Sequence, residues 1–192
     1  QYFLENDTPR NIVCSWSLNT PTIIENEEHF TANLQERFEA ARQLADRGIP
    51  VAFHFHPMVY YSGWEEEYAG IALQLMDRFK SSEVLFISFG TVTFIKPAIQ
   101  RIRKQGHPTK ILQMDLVPDP HGKLTYPDNT KIKLYSKMYD VLKPWREDVF
   151  MYLCMEKAAI WEEVFGTAYE DNEAFECDFG QKTHGRIDAT LD

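Results

Sequence analysis

The chain predicts an α/β fold built on a parallel sheet, and three observations carry that expectation. Apolar runs of strand length alternate five times with segments of helical periodicity, the pattern of strand–helix–strand units. The connections between them are short, which favours parallel strands joined by right-handed crossovers. Three of the strand-like runs, residues 12–19, 51–57 and 84–91, begin apolar and end in groups that can hydrogen-bond. A strand buried on both faces should be apolar throughout. Polar residues gathered at strand C-termini are what a (β/α) barrel uses to assemble a site. A doubly wound sheet and a slice of a barrel both fit, and five units are too few for a closed eight-stranded barrel.

The first strand is expected over residues 11–18. A helix follows over 33–47, with Leu34, Phe38, Ala41, Leu44 and Ala45 on one face and Gly48 where a C-terminal glycine belongs. The second strand spans 50–56, with Pro57 as its stop. The second helix starts near Trp64, where Glu65, Glu66 and Glu67 suit the positive end of the helix dipole. Strand three covers 83–89, helix three 96–105 with Gly106 closing it, and strand four 110–116. After turn-rich residues 118–129 come helix four (131–142), strand five (149–155) and helix five (158–165), ended by Gly166. The remaining segment, 167–192, is acidic and weakly periodic and reads as a loosely packed extension, so the organisation expected is 1–166 followed by 167–192.

The bulk numbers narrow the function classes. A chain of 192 residues suits one domain with a sizeable core. Its net charge of −9 gives no support to a sequence-independent grip on nucleic acid, which needs clustered Lys and Arg. No apolar run approaches the ~20 residues of a membrane span, and the first residues lack the basic and apolar parts of a signal peptide. Cys14, Cys154 and Cys177 are far apart and form no CxxC spacing. Reduced thiols in a cytoplasmic protein are expected rather than a disulfide framework or zinc site.

Several polar residues are candidates for chemistry. Ser17 and Asn19 share a face at the end of strand one, suited to a ribose, a carboxylate or an adenine edge, or simply to a turn. His54 and His56 share a face of strand two. The pair offers metal-ligand spacing or acid/base chemistry, but with no third ligand spaced to help, tight zinc binding is not expected. Tyr60, Tyr61 and Trp64 follow that strand and could stack on a flat base or pack the loop. Ser88 and Gly90 end strand three, and Cys154 and Glu156 end strand five. Lys131, Lys133 and Lys137 read as a solvated face. If the fold is barrel-like, Ser17, Asn19, His56, Ser88, Asp115 and Glu156 should lie along one rim of the sheet.

At Ser15-Trp16-Ser17-Leu18-Asn19, at Leu34, Glu36, Arg37, Glu39, Ala40 and Ala41, at Gly48, Pro50 and Val51, at Pro57, and at Gly63-Trp64-Glu65-Glu66 with Tyr68, the chain resembles the spore photoproduct lyase family of radical S-adenosylmethionine (SAM) proteins. The likeness runs in register over residues 11–68, and Gly63-Trp64-Glu65-Glu66 is its most specific element. Residues 84–165, including Tyr152-Leu153-Cys154-Met155-Glu156 and Trp161, resemble broader photolyase-like relatives.

The resemblance implies the C-terminal part of a radical SAM partial (β/α) barrel. The intact protein would carry SAM and a 4Fe-4S cluster and perform lyase or DNA-repair-like chemistry. By position, Ser17 and His56 match residues that contact SAM, with Asn19 beside them; His54, Tyr60 and Tyr61 are the candidates for substrate contact from their own place at and after strand two, not from the resemblance. The family's cluster-binding cysteine loop has no counterpart here, so this chain alone is expected to hold neither group tightly. A missing N-terminal half or a partner chain is implied, and nucleic acid stays open as a ligand. The competing readings are a non-catalytic binding module on the same scaffold and a metal-assisted hydrolase using His54 and His56.

Overall fold

A computed structural model describes residues 2–7, 9, 11–106 and 108–189. In chain order the elements are α1 (Tyr2–Glu5), β1 (Cys14–Ser17), α2 (Pro21–Glu27), α3 (Leu34–Ala45), β2 (Val51–Met58), α4 (Trp64–Arg78), β3 (Val84–Thr91), β4 (Thr93–Phe94), α5 (Lys96–Gln105), β5 (Val117–Pro118), β6 (Leu124–Thr125), α6 (Asp128–Val141), β7 (Phe150–Leu153), α7 (Ala158–Phe165) and α8 (Asn172–Ala189). β1, β2, β3 and β7 form one sheet in that order, every neighbouring pair parallel. A small antiparallel sheet, β4-β6-β5, stands beyond the end of β3.

Local chemistry accounts for the main helices. Asn33 caps α3 through the Glu36 amide while the Glu36 carboxylate returns to the Asn33 amide, a reciprocal capping box. Three glutamates occupy the first turn of α4. Gly106 and Gly166 end α5 and α7 in the left-handed conformation that a Cβ disfavours. The core lies between the sheet and its flanking helices. Phe53 of β2 meets Phe38 of α3 and Phe79 after α4, and Phe55 stacks on Phe89 of β3.

The fold differs from the sequence expectation in three places. The strand expected over 110–116 does not form. Ile111–Gln113 is a single 3₁₀ turn, and Asp115 lies exposed in the irregular segment before β5. A strand inserted between β3 and β7 would be covered on both faces, by helices on one side and α8 on the other, and should be apolar on both. Here Gln113 and Asp115 interrupt Leu112, Met114 and Leu116, and β7 takes the place beside β3. Second, β2 continues through Pro57 to Met58, because proline is tolerated near a strand end and its carbonyl still accepts from Asn19.

Third, the segment expected to pack loosely contains the 18-residue helix α8; residues 190–192 lie outside the described residues. Phe175 and Phe179, one turn apart, cover Phe86, Phe150 and Tyr152 on the sheet face opposite α3 and α4. Farther along, the Arg186 guanidinium donates to the carbonyls of Ser81, Val84, Leu85 and Asp148. The stripe Phe175, Phe179, Thr183, Arg186 is half polar, so it escapes a search for apolar periodicity.

Candidate functional site

Period-two alternation divides β2 into two sets. Val51, Phe53 and Phe55 point into the helix layer; Ala52, His54 and His56 point to the opposite, open face. Ser17 stands beside His54 in the β1–β2 register, and Ser88 stands beside it in the β2–β3 register. The open face of the sheet therefore carries a polar strip running from Ser15 and Ser17 of β1, through the two histidines, to Ser88 and Tyr152.

Ser88 is the centre of this strip and is fully buried. Its Oγ lies 2.6 Å from His54 Nδ1 and 3.1 Å from His56 Nε2. One hydroxyl can donate to one ring while accepting an N–H from the other, so the three side chains form a single hydrogen-bonded chain. The His56 ring also packs against the backbone of Gly90, where an added Cβ would stand 2.8 Å from His56 Cε1. Glycine is thus required for the close approach, and Gly90→Ala should cost about 1–3 kcal/mol by forcing the ring to move, read as a lowered urea midpoint.

Burial lowers the pKa of His54. His56 falls from its ordinary 6.5 to about 4, chiefly by burial and secondarily through His54. Both rings are therefore neutral at pH 7. The unfolded chain protonates His56 near 6.5 and the folded chain only near 4, so its stabilising contribution is present above 6.5 and is lost as the pH falls toward 4. After discounting for the ring's partial exposure, the expected loss between pH 7 and 4 is about 2 kcal/mol. Denaturant unfolding at the two pH values checks it. His56→Gln should flatten this part of the pH dependence.

Ser17 and Asn19 have different situations. The Ser17 side chain is exposed, and its carbonyl accepts from Arg37 at 3.0 Å. Asn19 is fully buried with every polar group engaged. Its Oδ1 accepts from the Thr20 amide and the Tyr68 hydroxyl, and its Nδ2 donates to Glu28 and to the Pro57 carbonyl. Glu28 in turn holds Arg37 at 2.6 Å. Asn19 thus fixes the loop behind Ser17 and offers no free group to a ligand. Tyr60 is 41% exposed and tilts against Trp64. Tyr61 donates to Thr20 Oγ1 at 2.8 Å, and burial is the main cause of its pKa being pushed up to about 12.

A second polar group lies at the C-terminal ends of β3 and β7. Lys131 and Glu156 form an ion pair at 2.9 Å with side chains only 7% and 5% exposed, and Tyr135 donates to the other Glu156 oxygen. The expectation that Lys131 is solvated is corrected: the first turns of α6 carry it inward over the end of β7. Of the residues expected along one rim, Ser17, Asn19, His56 and Glu156 follow or end their strands on the C-terminal side, and Ser88 faces His54 and His56 from within β3. Asp115 does not join them, because its strand is missing. Among the described residues no three His, Cys, Asp or Glu side chains are grouped to hold a metal ion, and no helix is long and apolar enough to cross a membrane.

Comparison with known proteins is consistent with this geometry. The spore photoproduct lyase family model matches residues 2–142. The curated spore photoproduct lyase of Clostridium acetobutylicum is 32% identical over 89 residues, covering 45% of this chain and 26% of the relative. That of Bacillus subtilis is 31% identical over 102 residues, 52% of this chain and 30% of the relative. Solved structures of spore photoproduct lyase, one complexed with dinucleoside spore photoproduct and a mutant with bound AdoMet and the same dinucleoside, match with a TM-score of 0.60. Identity to them is 22%, over 73% of this chain and 43% of theirs. They share the α/β fold with its parallel four-stranded sheet. The chain spans about a quarter to a third of the curated relatives' length.

Proposed function

Since the chain belongs to the spore photoproduct lyase family, we propose that it is the later part of a radical SAM lyase barrel, acting in the cytoplasm on a DNA-lesion-like substrate. The observation that carries this reading is the polar strip on the open face, with the exposed Ser17 hydroxyl at its rim and His56 on the adjoining strand. In this reading the adenosine side of SAM lies along that rim. Ser17 donates or accepts through its hydroxyl, and the β2 main chain at His56 supplies a further contact. Asn19, through Glu28 and Arg37, holds the Ser17 carbonyl so that the hydroxyl stays outward. The neutral histidines present uncharged imidazole to the ligand. Tyr60 offers an open aromatic face to a base, with Tyr61 tied to the loop behind it.

SAM with a 4Fe-4S cluster would supply radical hydrogen-abstraction chemistry to the completed protein. Cys14, Cys154 and Cys177 lie on β1, after β7 and on α8 and do not converge. The described residues therefore do not fit a cluster, and its ligands are proposed to come from an N-terminal half or a partner chain beside β1. Nucleic acid is the proposed macromolecular ligand of that completed protein.

A few hydrogen bonds, each contributing on the order of 1 kcal/mol net, do not offset the immobilisation of a flexible ligand. Calorimetry should therefore detect weak SAM binding or none with these 192 residues. At millimolar SAM, amide shifts should concentrate at Ser17 and His56 and disappear in Ser17→Ala. The chain joined to its cluster-bearing half should bind SAM and cleave it. Tight binding by the 192 residues alone, or shifts confined to another face, would overturn the proposal.

A further inference from the structure

Between β3 and α6 the chain carries an insert, residues 92–127, which holds α5 and the small β4-β6-β5 sheet. It leaves the parallel sheet at the C-terminal end of β3. The Tyr126 hydroxyl accepts from the Tyr60 amide after β2, and Thr109 and the Lys110 amide donate to Glu27 of α2, the helix that follows β1. The insert therefore lies along the rim that carries Ser17, His56 and Glu156. Its charge departs from that of the chain. Residues 84–114 contain five Lys and Arg and no Asp or Glu, although the whole chain carries −9. Lys96, Arg101, Arg103 and Lys104 of α5 are exposed, and among the described residues none of their side chains has a hydrogen-bond or ion-pair partner. By helical periodicity they occupy the face opposite Ile99 and Ile102, which turn into the fold. Among the described residues, the acid bonded to this stretch is Glu27. It lies beyond α5 and faces Lys110, so Lys110 is not counted in the surface.

We propose that the outward face of α5 grips the phosphate backbone of a nucleic-acid duplex beside the polar strip, an inference that rests on the nucleic-acid reading above. Four cations left unpaired by the fold suit a polyanion, and this local cluster supplies what the net charge does not. A lipid surface fits less well. A helix lying in a membrane interface must offer its apolar face to the lipid, and here Ile99 and Ile102 already pack inward. From Lys96 to Lys104 the helix rises about 12 Å, on the order of three to four steps of one DNA strand. About three phosphates can therefore meet a cation. Such contacts position a duplex without reading its sequence, which leaves recognition of the lesion to the strip.

The test uses the full chain and a fluorescein-labelled, undamaged DNA duplex of about 20 base pairs, followed by anisotropy between about 50 and 200 mM salt. Binding should be micromolar at the low end, independent of sequence, with a slope of log affinity on log salt of about −3. Arg101→Gln with Arg103→Gln should weaken it by about tenfold or more at low salt and make the slope shallower by about 2. Lys80→Gln with Lys143→Gln changes the net charge equally at the opposite end of the sheet. It should stay within about twofold of the parent. Equal losses in the two variants would overturn the proposal, since net charge alone would then explain them. So would an unchanged slope in the α5 variant, competition by polyglutamate as effective as that by unlabelled duplex, or capture by phosphatidylserine vesicles in place of DNA. SAM-dependent amide shifts at Ser17 and His56 are read on the same protein. Shifts without duplex binding overturn the α5 surface and leave the cofactor reading standing. Duplex binding without shifts supports the surface and overturns the cofactor reading.

Discussion

Lys131→Ala should destabilise the protein by about 3–5 kcal/mol, the cost of leaving a buried carboxylate without its counter-ion. Glu156 is 5% exposed, and its two oxygens are held by the Lys131 ammonium and the Tyr135 hydroxyl. Removing the ammonium leaves only the tyrosine, whose own pKa is already raised, by burial first and by Glu156 next. The paired replacement Lys131→Met with Glu156→Leu removes both charges. It should stay within about 2 kcal/mol of the parent, because buried pairs are often neutral to replace even though they are costly to break. Urea unfolding of the three proteins measures the difference. A single-variant loss below about 1 kcal/mol would mean that water reaches the pair.

Asn19→Ala should cost about 3 kcal/mol, as several buried partners lose their bonds at once. The Tyr68 hydroxyl would keep its bond to the Val59 amide but lose its acceptor, and the Pro57 carbonyl would lose the Asn19 donor. Asn19→Asp keeps the oxygen but sets a carboxylate against Glu28, so it should cost at least as much. Ser17→Ala, on the exposed side of the same loop, should change stability by no more than about 0.5 kcal/mol. Chemical denaturation separates the two cases, and equal losses would contradict the division of labour between a buried loop anchor and an outward-facing ligand group.

The contrast between these residues also marks what the sequence can disclose. Helix boundaries were legible wherever a local signal sets them: the Asn33–Glu36 cap, the glutamates of α4, and glycine after α5 and α7. The shared face of His54 and His56 followed from strand alternation alone. Ser88 as their bridge did not, because pairing across strands depends on a register set by long-range packing. Its one trace was a serine inside an apolar central strand. The Lys131–Glu156 pair joins residues far apart in sequence, and nothing local separates a lysine that folds inward from one in water. The failed strand at 110–116 was an alternation that suits one-sided burial, read into the β3–β7 half of the sheet, which α8 covers on its second face. α8 went unrecognised because its contact stripe mixes phenylalanine with threonine and arginine.

Helix α8 also gives the sheet a front and a flank. Its aromatic pair shields the β3–β7 half of the open face, and Arg186 ties it down at the strands' N-terminal end. The β1–β2 half keeps serine and histidine accessible. Any body that completes this surface therefore has one direction of approach, alongside β1. In closing there it would turn a shallow polar strip into a chamber with its base and far wall already in place.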